Sequence, residues 1–218
     1  VVEVRLGSSA MDVVKKTTEV ETKYGGFVYA INDVRSEYSG IGSAMKDWFY
    51  YVNGILAGVG ALDYKPYDGD IEHWDFHDWS FYASIPAIVG DFPEPFLHGY
   101  GGKIPKTIIV YEDGFEGEAL QLKDKLTDFG VNEVSIKIMV NLSDNEKKHS
   151  NLILMGTKDF QPVSELNMIY DKVGFYVYFR NGEMVMLDCE GKIREKFVSG
   201  GVIQATQNPW NPKGIPSK

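Results

Sequence analysis

The chain has 218 residues, room for one large domain or two ordinary ones. Its 22 basic against 31 acidic side chains leave a net charge of -9, which argues against a phosphate-backbone partner, and a composition 44% hydrophobic and 13% aromatic argues against disorder. Cys189 is the only cysteine, so neither a disulfide framework nor a cysteine-based metal site can be built.

Residues 1–6, VVEVRL, alternate with Val2, Val4 and Leu6 on one face and predict a strand. No basic region or apolar stretch of a secretory signal stands ahead of it, which fits a cytosolic chain or one whose signal has been removed. No apolar run approaches the roughly 20 residues that cross a bilayer. Ser8 and Ser9 offer a hydroxyl N-cap to a short amphipathic helix with Met11, Val14 and Thr18 inward and Lys15, Lys16 and Glu19 in water. Tyr24-Gly25-Gly26 turns the chain into a strand over 27–31. Residues 32–46, with Gly40 and Gly42, read as a polar loop where a ligand or partner is met.

The stretch DWFYYVNG, residues 47–54, is the centre of the N-terminal half. Trp48 to Val52 are strong strand formers, and Asn53-Gly54 supplies the two positive φ angles of a tight hairpin turn. An answering strand, 71–76, follows the turn Asp68-Gly69-Asp70 and places Trp74 and Phe76 on one face. Residues 55–62, ILAGVGAL, read as a loop packed under Tyr64 and Tyr67; no helix start and no Lys-Ser/Thr follow its glycines, so a phosphate cradle is not indicated.

The succession SSAMDVVKK, YGGFVYAIND, DWFYYVNG and YDGDIEHWDF resembles the transcobalamin C-terminal-like domain, a β-grasp-like module of secreted and surface proteins. The resemblance covers residues 1–98. It implies an extracellular or cell-surface location with the signal peptide removed, and a corrinoid (cobalamin-like) ligand covered on one face, although the helical barrel that holds the other face in that family is absent here. If Trp74 and Phe76 keep the family's aromatic positions, Glu72 falls where an aliphatic residue is usual, which sets an acid on the apolar face or demands a bulge.

His73, Asp75 and His77 share the other face of that strand, and two imidazoles with a carboxylate are plausible zinc ligands. Against this, neighbours on one strand face stand roughly 6 to 7 Å apart, awkward for a single ion, and a solvated polar face accounts for the same pattern. Glu72 beside Trp74 is either desolvated with a raised pKa or paired with a lysine or arginine.

Residues 79–100 carry Pro86, Pro93 and Pro95 among aromatic residues and mark the boundary between domains 1–98 and 99–218. Beyond it, KTIIVY reads as a buried parallel strand, followed by a helix over 116–129 with Leu120, Leu122 and Leu126 inward and Gly130 as its stop. Strands at 134–140 and 152–155, a helix at 163–170, a hairpin around Asn181-Gly182 and a strand at 192–198 complete the half. The fold expected is thus an α+β, β-grasp-like N-terminal domain followed by an α/β, three-layer-type domain with a hairpin extension. NLILMGTKDFQPVSEL is weakly similar to archaeal surface-layer-associated α/β domains. IIVYEDG resembles the opening of a phosphoacceptor receiver domain, but Gly156 stands where the acceptor aspartate is required.

None of the hydrolase, metalloprotease, nucleotide or dinucleotide fingerprints is present. Cys189 reads as a buried, inert thiol on a strand, and His149 as part of a solvated charged loop. The expected function is non-enzymatic: an extracytoplasmic or cell-surface binding protein for a corrinoid or other small ligand, with Trp48, Tyr50, Trp79 and Tyr82 as aromatic walls. The alternative is a structural or adhesive module that contacts surface proteins; a metal-dependent enzyme using His73, Asp75 and His77 ranks third. The C-terminal NPWNPKGIPSK reads as a tail with an exposed Trp210, or as a loop.

Overall fold

The computed structural model describes residues 1–38, 44–212 and 214. It is a mixed α and β structure in which small antiparallel sheets precede a parallel one.

Helix α1, Ala10–Thr17, begins at Ser9 with a reciprocal capping box: Asp12 N donates to Ser9 Oγ (3.3 Å) and Ser9 N donates to Asp12 Oδ2 (2.8 Å). Ala10, Met11 and Val14 face inward as their spacing requires, whereas Thr18 is the C-cap. Residues 1–6 are not a strand. They are exposed, with no strand paired to them among the described residues, and Lys16 Nζ donates to the Glu3 carbonyl. An alternating pattern becomes a strand only where a sheet edge accepts it.

β1 (Val20–Lys23), β2 (Phe27–Ile31) and β3 (Val34–Arg35) form one antiparallel sheet. Sequence reading missed β1, because Val20 is its only apolar residue, and β3, which lies inside the expected loop. Of that loop, residues 39–43, with Gly40 and Gly42, lie outside the described residues.

β4 (Lys46–Val52), β5 (Ile55–Leu56) and β6 (Glu72–Asp78) form a second antiparallel sheet in the order β5-β4-β6. Asn53 (φ 52°) and Gly54 (φ 73°) make the tight turn between β4 and β5. Asn53 is fully buried and does more than turn: its Nδ2 donates to Asp70 Oδ1 and to Gly99 O, both at 2.8 Å, and its Oδ1 accepts from Ile71 N. One amide thereby ties the hairpin to the start of β6 and to the chain 46 residues on. Met11, Val14, Val28, Ile31, Val52 and Tyr64 share the core between α1 and these sheets.

The parallel sheet has the order β8-β7-β9, from β7 (Thr107–Tyr111), β8 (Val134–Ile138) and β9 (Asn151–Met155). Helix α2, Glu116–Asp128, connects β7 to β8 and ends at Gly130 (φ 97°). Ile109 packs with Ala119, Leu126 and Val131 on one face of β7; Ile108 and Val110 pack with Phe160 and Val163 on the other. Leu120, expected inside, is exposed, and Ala119 occupies the inward position. The β8-to-β9 connection contains a short helix α3, Asp144–His149, where a loop was expected; its signal was the Ser143/Glu146 capping box. Helix α4, Gln161–Met168, then leads to a third antiparallel sheet of β10 (Val177–Arg180), β11 (Glu183–Leu187) and β12 (Ile193–Phe197), with the expected turn at Asn181-Gly182.

The halves meet through polar anchors. Tyr82 Oη donates to Phe175 O (2.7 Å) and Gln207 Nε2 to Pro86 O (3.2 Å), while within the first half Tyr51 Oη donates to Ile85 O (3.1 Å). Residues 208–211 are docked and are not a loose tail, and Trp210 is half-buried, not exposed; residues 213 and 215–218 of the expected tail lie outside the described residues. Asn208 Nδ2 donates to Lys147 O, and Lys147 Nζ lies 4.3 Å from the Trp210 ring.

Candidate functional site

The aromatic and ionisable residues singled out from the sequence converge on the β4–β6 pair, whose register runs unbroken from Lys46 opposite Asp78 to Val52 opposite Glu72. Two faces follow from strand alternation. One carries Trp48, Tyr50 and Val52 with Phe76, Trp74 and Glu72; the other carries Asp47, Phe49 and Tyr51 with His77, Asp75 and His73.

On the first face, Trp48 lies 5.2 Å from Phe76 and Tyr50 stacks on Trp74 at 4.9 Å and 22°. Trp48 Nε1 donates to Val34 O (2.9 Å), and Tyr50 Oη donates to Val59 O. Trp48, Tyr50 and Trp74 pack against the α1 core. Glu72 stands among them without a bulge. Its Oε1 is buried with no hydrogen-bond partner, and its Oε2 receives only a long contact from Trp74 Nε1 (3.5 Å). Burial, with a smaller contribution from Asp70, raises its pKa to about 7 from 4.5. The desolvated carboxyl, one of two outcomes open from the sequence, is the one observed; no lysine or arginine pairs with it among the described residues.

On the second face, His77 stacks on Phe49 (4.3 Å) with its Nδ1 2.5 Å from Asp75 Oδ2, while His73 Nδ1 turns to Asp91 Oδ1 at 3.1 Å. Trp79 Nε1 donates to the buried Asp47 at 2.8 Å. His73, Asp75 and His77 do share a face, yet each histidine has a carboxylate of its own, and among the described residues no group of three or more His, Cys, Asp or Glu side chains is placed to hold a metal ion. Strand spacing keeps them apart.

The structure therefore does not bring Trp48, Tyr50, Trp79 and Tyr82 together. Trp48 and Tyr50 belong to the α1 side; Trp79 joins Asp47 on the opposite side; Tyr82 is buried against Tyr176, with ring centroids 5.0 Å apart. An open depression lined by Val4, Arg5, Ser8, Asp12, Lys15 and Lys16 includes none of the four. Cys189 is exposed, in the turn after β11, and is not a buried strand residue. His149 ends α3 with its Nδ1 2.9 Å from Asn145 O. Sequence reading missed Asp47, Asp91 and Glu94 as buried acids, because their partners Trp79, His73 and His98 are set by the fold; only the four-residue spacing of Glu94 and His98 was legible.

No curated protein and no solved structure matches the chain. Residues 7–78, from the approach to α1 through the end of β6, match the model of a family described as a domain of unknown function, DUF4430.

Proposed function

We propose that the protein is a non-enzymatic extracytoplasmic or cell-surface binding protein, with a β-grasp-like, transcobalamin C-terminal-like unit over residues 1–98 and an α/β unit over residues 99–218. Its contacts are made through exposed surface and not through an aromatic-walled pocket. The family match over residues 7–78 lies inside the segment that carries the transcobalamin-like pattern and supports the first part.

The division of Trp48, Tyr50, Trp79 and Tyr82 between separate packing environments carries the second part. A corrinoid or other planar ligand needs several aromatic walls around one space. Exposed apolar groups are instead gathered at a corner. The β1–β2 turn presents Tyr24, 94% exposed, and Phe27, and Gly26 in that turn sits against Leu62, itself 46% exposed. Clustered apolar exposure of this kind marks a contact surface.

Titration with a corrinoid, followed by visible absorbance and tryptophan fluorescence, tests the choice. A flat titration is expected; saturable quenching that weakens when Trp48 or Trp79 is replaced would restore the small-ligand reading. Labelled protein is expected to be retained on cell envelopes of the organism that makes it, and the Tyr24→Ser/Leu62→Ser variant to be lost from them with an unchanged melting temperature. Equal retention of both proteins, or of neither, overturns the surface reading.

A further inference from the structure

Glu72 is a half-buried carboxyl that has no counter-ion among the described residues, at the start of a strand whose outer edge carries no other described strand. Its neighbour on the same face, Trp74, has one ring face covered by Tyr50 of the inner strand. The indole is half-buried and packs in part against the α1 core, and among the described residues no other ring and no lysine or arginine lies over the ring face opposite Tyr50. The Glu72 Oε2 to Trp74 Nε1 distance of 3.5 Å places the carboxyl beside the indole edge. Asp70 adds negative charge at Glu72, and Asp63 adds it at the Tyr50 hydroxyl.

We propose that Glu72 and the outward ring face of Trp74 form a binding site for a small organic cation of the alkylammonium type. An indole face attracts a cation through the ring quadrupole, and a carboxylate beside it supplies the opposite charge. Each alternative ligand class meets a physical objection. An anion is repelled by Asp63, Asp70 and Glu72. A neutral planar molecule can stack but leaves the carboxylate unpaired, at the cost of a desolvated polar group. A divalent metal needs several oxygen or nitrogen ligands, and Glu72 is not in any such group among the described residues. An alkylammonium needs one counter-charge and one apolar or aromatic wall, the two things present.

Binding must compete with the proton on Glu72. It is therefore strongest above neutrality, where the carboxyl gives up its proton most readily, and weakens on acidification. The site is tested at Glu72 and Trp74 and the surface-contact reading at Tyr24 and Leu62, so each can fail without the other.

The test is a titration of the whole chain with choline, read from the indole N–H signal of Trp74 in proton–nitrogen correlation spectra, with the other tryptophans as internal controls. The neutral carbon isostere dimethylbutanol, of the same shape without the charge, is titrated in parallel. Choline is expected to displace the Trp74 signal saturably, with affinity at least about tenfold weaker in Glu72→Gln and in Trp74→Leu. It is also expected to bind more weakly at about pH 5 than at about pH 8. Glu72→Gln keeps the side-chain shape and removes a desolvated charge, so it remains folded and decides the matter even if Trp74→Leu does not fold. No saturable displacement up to about 100 mM choline, an equal response to dimethylbutanol, or an unchanged affinity in Glu72→Gln would overturn the proposal.

Discussion

The central strands of the two principal sheets are built from opposite materials. In β7, Thr107, Ile108, Ile109 and Val110 are all buried, with apolar partners on both faces. In the β4–β6 pair, aromatic rings alternate with aspartate, glutamate and histidine, and all seven residues of β6 are only half-buried. The difference shows in the buried polar atoms that lack a partner. The ionisable ones, on Asp47, Glu72, His77 and Asp91, all lie in or against the β4–β6 pair, while those near the parallel sheet are the hydroxyls of Thr107 and Ser150. Apolar burial holds the second half together, whereas the first half keeps desolvated ionisable groups that a stable core has no need of. Such groups concentrate where proteins do chemistry or bind.

Substitutions at three positions sharpen that contrast. The largest effect belongs to Ile109, fully buried at the centre of the parallel sheet: Ile109→Ala is expected to lower stability by about 2–5 kcal/mol in denaturant unfolding, through lost burial plus a cavity. A loss below about 1 kcal/mol would mean that β7 is not the hub of that core. Next comes Asn53→Ala, which strands Asp70 Oδ1, Gly99 O and Ile71 N together and leaves a non-glycine residue at positive φ; a cost of about 2–4 kcal/mol is expected. Asn53→Asp, which keeps an acceptor but loses the donor and sets a second carboxylate beside Asp70, should recover little of it.

The smallest effect has the opposite sign. The native state holds the Glu72 proton more tightly than the unfolded chain does, so between about pH 4.5 and about pH 7 unfolding releases a proton, and stability falls as pH rises through that window. Above about pH 7 the loss is complete, and solvent screening at this half-buried site limits it to about 1–2 kcal/mol. Glu72→Gln should therefore be more stable than the parent at about pH 8 and nearly equal to it at about pH 4. Parallel stability curves for the two proteins would show that Glu72 is not desolvated.

Most of the backbone was legible from local pattern. The α1 cap at Ser9, the Asn53-Gly54 and Asn181-Gly182 turns, the apolar run of β7 and the glycine stop after α2 all express preferences set within a few residues, and such preferences are readable without a partner. The expected strand over residues 1–6 failed for the converse reason: Val2, Val4 and Leu6 have the right alternation, but pairing depends on an edge elsewhere in the chain. Leu120 and Ala119 exchanged roles because a helical stripe tells which residues are apolar more surely than the angle at which the helix meets its sheet. The site was less legible than the fold. Composition and alternation alone put His73, Asp75 and His77 on one strand face, and Glu72 beside Trp74 on the other. Only tertiary packing decided that His73 turns to Asp91, that Trp79 and Tyr82 leave the company of Trp48 and Tyr50, and that Glu72 has no cation to pair with among the described residues. Those outcomes depend on residues 18 to 93 positions apart along the chain, a separation across which local propensity carries no information.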